Sequence, residues 1–283
     1  MSSRAVLITG CSSGIGAAAA ARLAGNGWTV YATARRVETL AGLEAKGCKT
    51  LALDVTDEAS CRAAVAAVEA AEGAVGVLVN NAGYSQSGAV ESVPDERVRA
   101  QFDTNVFGLL RMCRLVLPKM REQGWGRIVN ISSMGGEFTF PGGGVYHATK
   151  YAIEALSDAL RYEVEGFGVD VIVIQPGLIK SHFSTRTVAE IDAVAADAGP
   201  YAEFNAAVAE ASKGAYEKGV VARLAGPPEA VAEVIEKALS ADRPKTRYKV
   251  TPSARAFMTL HSLVPDRVWD RLMRGSFPRP GAR

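Results

Sequence analysis

The chain has 283 residues, 48% hydrophobic and 22% charged, with a formal net charge of +2. This is ordinary soluble-globular composition, long enough to bury a sizeable core without disulfide or metal staples. The near-neutral charge, with no dense Lys/Arg run before residue 240, gives no nucleic-acid signature, and no run of about 18 apolar residues exists to span a membrane.

Residues 5–9 (AVLIT) read as a strand, followed by a glycine-rich turn and an Ala-rich helix to about Ala24, which Gly25-Asn26-Gly27 stops. Strands are predicted over 28–34 (WTVYATA) and 50–55 (TLALDV), with helices over 38–46 and about 57–71. A fourth strand covers 75–83 (VGVLVNNAG), and a long helical region covers roughly 95–122, where Pro118 predicts a kink or a boundary. Residues 126–133 (GRIVNISS) form the fifth strand, a helix follows to about Gly166, and 169–177 (VDVIVIQPG) form the sixth. Residues 247–251 (RYKVT) give a weaker seventh. Short Val/Ile/Leu strands alternating with helices predict an α/β fold. The expected form is a doubly wound, mostly parallel sheet of about seven strands with helices on both faces. The chain reads as one unit over 1–283, with a helical insertion at about 178–226 and a C-terminal extension at about 252–283.

Ligands of such sheets bind beyond the carboxyl ends of the strands. The first strand ends in TGCSSGIG, where Gly10, Gly14 and Gly16 allow a tight turn and close backbone approach. The helix that follows offers free N–H groups to a pyrophosphate. The second strand ends in Ala34-Arg35-Arg36. An acid there would bind ribose hydroxyls. An Arg instead pairs with a 2′-phosphate, and Ser13 can add a hydroxyl, so the reading is NADP(H). The third strand ends at Asp54-Val55, the fourth at Asn80-Asn81-Ala82-Gly83, the fifth at Ser132-Ser133 and the sixth at Pro176-Gly177.

In VYHATKYAIEAL (145–156), Tyr146 and Lys150 stand four apart and share one helical face. A small-apolar stripe, Ala152, Ala155, Leu156 and Ala159, falls roughly opposite them and suits close packing on the sheet. A cation beside a Tyr favours the phenolate and makes a poor acid–base group usable. His147, His182 and His261 lack a carboxylate partner in any motif and read as structural or at most substrate-lining, with His182 the best placed to line a pocket. The four Cys form no C-x-x-C and no Cys/His cluster, so no metal is expected, and reduced thiols fit a cytoplasmic protein. Cys11 reads as a small packing residue. The first residues carry no charged segment followed by a long apolar one, so no signal peptide is expected.

Taken together, TGCSSGIG, LDV, NNAG, the Asn of DTNVFG, ISS, YHATK and PG resemble the short-chain dehydrogenase/reductase family over residues 9 to about 183. The glycine loop and VYATARR look most like its 17β-hydroxysteroid and retinol dehydrogenase branch. The resemblance implies a Rossmann-like fold and hydride transfer between a nicotinamide and a carbonyl or alcohol carbon. It implies a catalytic set of Asn105, Ser133, Tyr146 and Lys150, with Ser133 chosen over Ser132 for its thirteen-residue spacing to Tyr146. Asn105 would hold a water leading to Lys150. The same resemblance places the cofactor on Gly10, Ser12, Ser13, Gly14, Ile15 and Gly16, and on Arg35, Asp54 and Val55. It continues over Asn81, Ala82 and Gly83, over Tyr146 and Lys150, and over Pro176, Gly177, Ile179 and Ser181. It also implies a homodimer or homotetramer.

Phe183, Tyr201, Phe204 and Tyr216, with Met134, Phe138 and Phe140 opposite, predict an apolar cavity for a lipophilic steroid-, retinoid- or polyketide-like substrate. The last 42 residues hold ten Lys/Arg against three Asp, and DRVWDRLMR (266–274) is amphipathic. Docking on the body of the protein or a sister subunit is expected for it, with a membrane-surface helix as the alternative.

Overall fold

The computed structural model describes residues 2–181, 190–191, 199–217, 222–275 and 277–281. Seven strands form one sheet: β1 (Val6–Ile8), β2 (Val30–Ala34), β3 (Lys49–Ala52), β4 (Val77–Asn80), β5 (Gly126–Ile131), β6 (Val169–Pro176) and β7 (Arg247–Val250). Their order is β3-β2-β1-β4-β5-β6-β7 and every pairing is parallel. The chain steps outward from β1 to β3, returns, and restarts with β4 on the other side of β1. The switch point therefore lies between the ends of β1 and β4, where a Rossmann-like sheet opens its crevice.

Side-chain alternation explains the two helical layers. Val6 and Ile8 of β1, with Val77, Val79 and Ile172, face a core completed by Ala19, Ala20 and Leu23 of α1 (Gly14–Gly25). Leu7, Leu78, Ile128 and Val171 face the other way, onto α3 (Glu58–Glu72), α5 (Gly108–Gln123) and α6 (Gly144–Glu165). Burying one such side chain contributes roughly 1.5–3 kcal/mol. Two short helices, α2 (Ala41–Glu44) and α4 (Asp95–Phe102), complete this half. Beyond β6 come α7 (Ala202–Glu217) and α8 (Pro228–Ser240), the latter packed on α1. After β7, α9 (Pro252–Leu263) and α10 (Asp266–Arg274) end the chain.

The structure corrects three expectations. Strands end earlier than their apolar runs, because Asn81–Gly83 and Ser132–Ser133 leave the ladder at its carboxyl edge. The helix at 95–122 has no boundary at Pro118, which is exposed and lies inside α5. The interruption is a π-helical turn, Asp103–Phe107, between α4 and α5. Finally, α6 docks through Thr149, Lys150, Ile153 and Ser157, while Ala155 and Ala159 are exposed. Polar residues take the buried face because each finds a partner there: Ser157 Oγ accepts from Asn130 Nδ2 at 2.9 Å and donates to the Ile153 carbonyl at 2.6 Å.

Candidate active site

The β1 and β4 ends are laced together. Thr9 Oγ1 accepts from the backbone N–H of Asn81 (3.0 Å) and Ala82 (2.9 Å), and Asn81 Nδ2 donates to the Thr9 (2.8 Å) and Gly10 (3.0 Å) carbonyls. This closeness dictates glycine: a Cβ on Gly16 would meet Asn81 Nδ2 and the Gly10 oxygen, each at 2.5 Å. Gly10 and Gly14 have φ of 73° and 60°, the left-handed region that favours glycine. Ser13, at the N-cap of α1, makes no side-chain cap bond, and no acid stands in the first turn. The first-turn N–H groups and the positive end of the helix dipole are left for an anion. Ser181 closes over this loop, its Cβ 3.7 Å from where a Gly14 Cβ would stand. Cys11 is buried, and burial pushes its thiol up to about 12, so it is an inert packing residue.

Past β2, Ala34, Arg35 and Asp54 line the same cavity. Arg35 is exposed, and among the described residues its guanidinium has no hydrogen-bond or ion-pair partner. Asp54 Oδ1 accepts from Thr56 N–H (3.0 Å) and Oγ1 (2.8 Å), which holds that carboxylate in place.

At the end of β5, Ser133 Oγ accepts from Gly135 N–H at 3.1 Å, while Ser132 Oγ is sealed without a partner among the described residues. Lys150 Nζ donates to the Ile131 carbonyl at 2.8 Å and lies 5.7 Å from the Tyr146 ring centroid. Burial pushes the Lys150 ammonium down to about 8, partly opposed by the Glu154 carboxylate. Asn105 sits in the π-helical turn. Its Oδ1 accepts from Tyr84 N–H (3.2 Å), and its Nδ2 donates to the Tyr84 carbonyl (3.0 Å) and Thr149 Oγ1 (3.1 Å). An enclosed cavity of about 10 Å³, the room of one water, lies among Asn105, Thr104, Asn80 and Lys150.

The main cavity, about 1050 Å³, brings together the glycine loop, Arg35, Asp54, Val55, Asn81, Ala82, Gly83, Ser133, Tyr146, Lys150, Pro176, Gly177, Ile179 and Ser181. Met134 and Phe140 line it as expected, but Phe138 does not. Phe138 is fully buried beneath, 5.2 Å from the Trp269 ring. Tyr201 and Phe204 are also absent from the wall. Tyr201 donates to Glu91 Oε2 at 2.6 Å, and Phe204 packs with Ala89, Ile191 and Val208. The wall that α7 supplies is Val208, Ala211, Ser212 and Ala215. His182 and Phe183, and the side chain of Tyr216, lie outside the described residues. Sequence reasoning missed Phe257, Met273 and Phe277, which the C-terminal segment brings to the cavity, and the only hint was the amphipathic pattern of 266–274. His147, read from the sequence as structural or at most substrate-lining, lines the cavity.

Among the described residues no group of three or more His, Cys, Asp or Glu could hold a metal, and no helix is long and apolar enough to cross a membrane. A family model described as short chain dehydrogenase matches residues 4–192. An NADPH-dependent 3-dehydrocapnine reductase of Ornithobacterium rhinotracheale is 35% identical over 281 residues, covering 95% of both chains. A 3-ketodihydrosphingosine reductase of Bacteroides thetaiotaomicron is 40% identical over 192 residues, 68% of this chain and 70% of that protein. The crystal structure of a short-chain dehydrogenase from Streptomyces avermitilis superimposes with a TM-score of 0.77 at 35% identity, covering 98% of this chain and 99% of that one.

Proposed function

The chain belongs to the short-chain dehydrogenase family, and on that premise we propose that it is an NADP(H)-dependent oxidoreductase acting on the ketone or secondary alcohol of a lipophilic substrate. The observation that carries the reading is the convergence of Ser133, Tyr146 and Lys150 on one cavity with an uncapped helix N-terminus. The phosphate loop, Asn81–Gly83, Pro176-Gly177, Ile179 and Ser181 would hold the dinucleotide, and the nicotinamide when bound supplies or accepts the hydride. Tyr146 transfers the proton to or from the substrate oxygen. Lys150 steadies the phenolate by its charge, and Ser133 holds the substrate oxygen beside Tyr146. The water-sized cavity between Asn105 and Lys150 supports a proton path leading away from the site.

Three observations support NADP(H): Ala34 in place of an acid, Arg35 beside the cavity with no partner among the described residues, and a relative whose name states NADPH dependence. The lipophilic reading rests on Met134, Phe140, Val208, Phe257 and Met273 around the substrate end, and on a relative whose name gives 3-ketodihydrosphingosine as its substrate. The segment at 178–226 then acts as a substrate lid. A second copy of the chain is the partner we assign to α6, whose outer side exposes Tyr151 (43%), Tyr162 (85%), Ala155 and Ala159.

A panel of lipophilic ketones assayed with NADPH and NADH in parallel tests the reading. NADPH should be preferred, and Arg35→Ala should weaken its binding about 10- to 100-fold, the worth of a charge-assisted bond, without affecting NADH. Equal use of NADH by the unaltered protein would overturn the Arg35 argument. Tyr146→Phe should remove nearly all turnover while NADPH still binds. For the assembly, light scattering should give a multiple of the 29.8 kDa chain and Ala155→Arg should reduce it, whereas a monomer in both cases removes the second copy.

A further inference from the structure

His147 follows Tyr146 directly, yet it is only 7% exposed. Its ring lies between two glycines. A Cβ on Gly135 would come within 2.5 Å of Cδ2 and 2.8 Å of Nε2, and one on Gly143 within 2.6 Å of Cε1. Neither glycine has a left-handed φ, so the turn does not require them, and what they provide is room for the imidazole. The ring packs 5.9 Å from Phe140 and 5.6 Å from Tyr146, centroid to centroid. The backbone N–H of Phe140 donates to Nδ1 at 3.2 Å, which commits the only lone pair of a neutral imidazole and puts its proton on Nε2. Burial depresses the imidazolium to about 4, so the ring is neutral through the physiological range. Among the described residues Nε2 has no hydrogen-bond partner. It lies against Gly135, whose own N–H is bonded to Ser133 Oγ at 3.1 Å, on the wall of the substrate end of the cavity.

An imidazole fixed by its Nδ1 bond, in a residue more than nine-tenths buried on the wall of the cavity that Ser133 also lines, carries a hydrogen-bond donor awaiting an acceptor. We propose that His147 Nε2–H is a second recognition point for the substrate, binding an oxygen carried within two carbons of the reacting carbonyl. The substrate class is therefore an oxygenated ketone, of the hydroxy-ketone or 3-oxoacyl kind, rather than a plain one. An ammonium at that place is disfavoured, because the ring has no lone pair left to accept from it. The proposal rests on the ketone-reductase reading above and adds to it which ketones are preferred.

The test uses a matched pair, undecan-2-one and 4-hydroxyundecan-2-one, with the intact protein and NADPH. The hydroxy ketone should have the higher kcat/KM by about tenfold, the worth of one neutral hydrogen bond whose donor otherwise stays unpaired. His147→Phe should bring the ratio to within about twofold of one, and His147→Gln, which keeps an N–H donor, should restore part of it. Equal loss on both ketones in His147→Phe, with the ratio kept, would mean a bracing role only and would overturn the proposal. So would a wild-type ratio near one. If the variants do not fold, the ¹⁵Nε2 resonance of His147 in the unaltered protein with NADP+ decides. It should move on titration with the hydroxy ketone and not with undecan-2-one, and an unmoved resonance overturns the proposal. Turnover with no preference removes this inference alone. Absence of turnover with both ketones and with the wider panel removes the reductase reading, and this inference with it.

Discussion

Lys150 shows how one residue divides between stability and chemistry. Its ammonium is buried against the Ile131 carbonyl, and desolvation brings it down to about 8 from 10.5. Because the folded value lies below the unfolded one, the folded state resists the proton. The cost is present in full below pH 8, roughly 3 kcal/mol, and relaxes as pH rises toward 10.5. On the proposed mechanism the cost has a use, because a charged Lys150 steadies the Tyr146 phenolate. For ketone reduction Tyr146 must hold its proton and Lys150 its charge. The kcat/KM for reduction should therefore be flat up to about pH 8 and fall above it. A pH profile checks this. The residual activity of Lys150→Arg, whose guanidinium does not titrate, should lack that limb, and a limb unchanged in the variant would assign it to another group. The residues themselves were legible in the sequence, because each motif is local. Which face of α6 is buried was not, because periodicity assigns Lys150 and Ser157 to solvent and only their partners on β5 reverse that.

At the scale of elements, the π-helical turn Asp103–Phe107 is the least legible and among the most consequential. Nothing in DTNVF marks a π turn, and Pro118 drew the expected kink or boundary eleven residues beyond it. Inserting one extra residue per turn re-aims Asn105 so that it spans three pieces of chain, and such turns concentrate at functional sites. Both Tyr84 backbone groups and Thr149 Oγ1 bond to that one side chain, and Thr149 Oγ1 in turn donates to the Tyr146 carbonyl at 2.7 Å. Asn105→Ala should strand these groups and cost about 1–3 kcal/mol, visible as a fall of several degrees in Tm. The loop after β4 loses its anchor at the same time, so the thermal shift given by NADP+ should shrink as well. A variant that loses activity with Tm and cofactor shift intact would show that Asn105 acts only in the chemistry.

Across the whole molecule, the cofactor half of the cavity was readable because it sits on the carboxyl edge of a sheet whose order the strand–helix alternation implies. The substrate half was not, because it is assembled from segments more than a hundred residues apart, where spacing carries no information. Aromatic count pointed to Tyr201 and Phe204, which pack in the cluster of Ala89, Ile191 and Val208 rather than on the cavity wall, while the C-terminal helices supply Phe257 and Met273 to it. What fixes those helices is Trp269, which is 6% exposed. Its ring centroid stands 5.2 Å from Phe138 and 4.9 Å from His261, and its Nε1 donates to the Thr139 carbonyl at 3.3 Å. Trp269→Ala removes an anchor worth about 3–5 kcal/mol, enough to release α10 without unfolding the sheet. If α9 and α10 form the apolar wall, each methylene of substrate buried there contributes about 0.8 kcal/mol, roughly a fourfold gain in kcat/KM per carbon. A series of methyl ketones of increasing length should show that slope in the wild type and a markedly flatter one in Trp269→Ala, with the shortest members least affected. An unchanged slope would mean that the alkyl chain lies against α7 instead, and that the C-terminal helices serve only to close the core around Phe138.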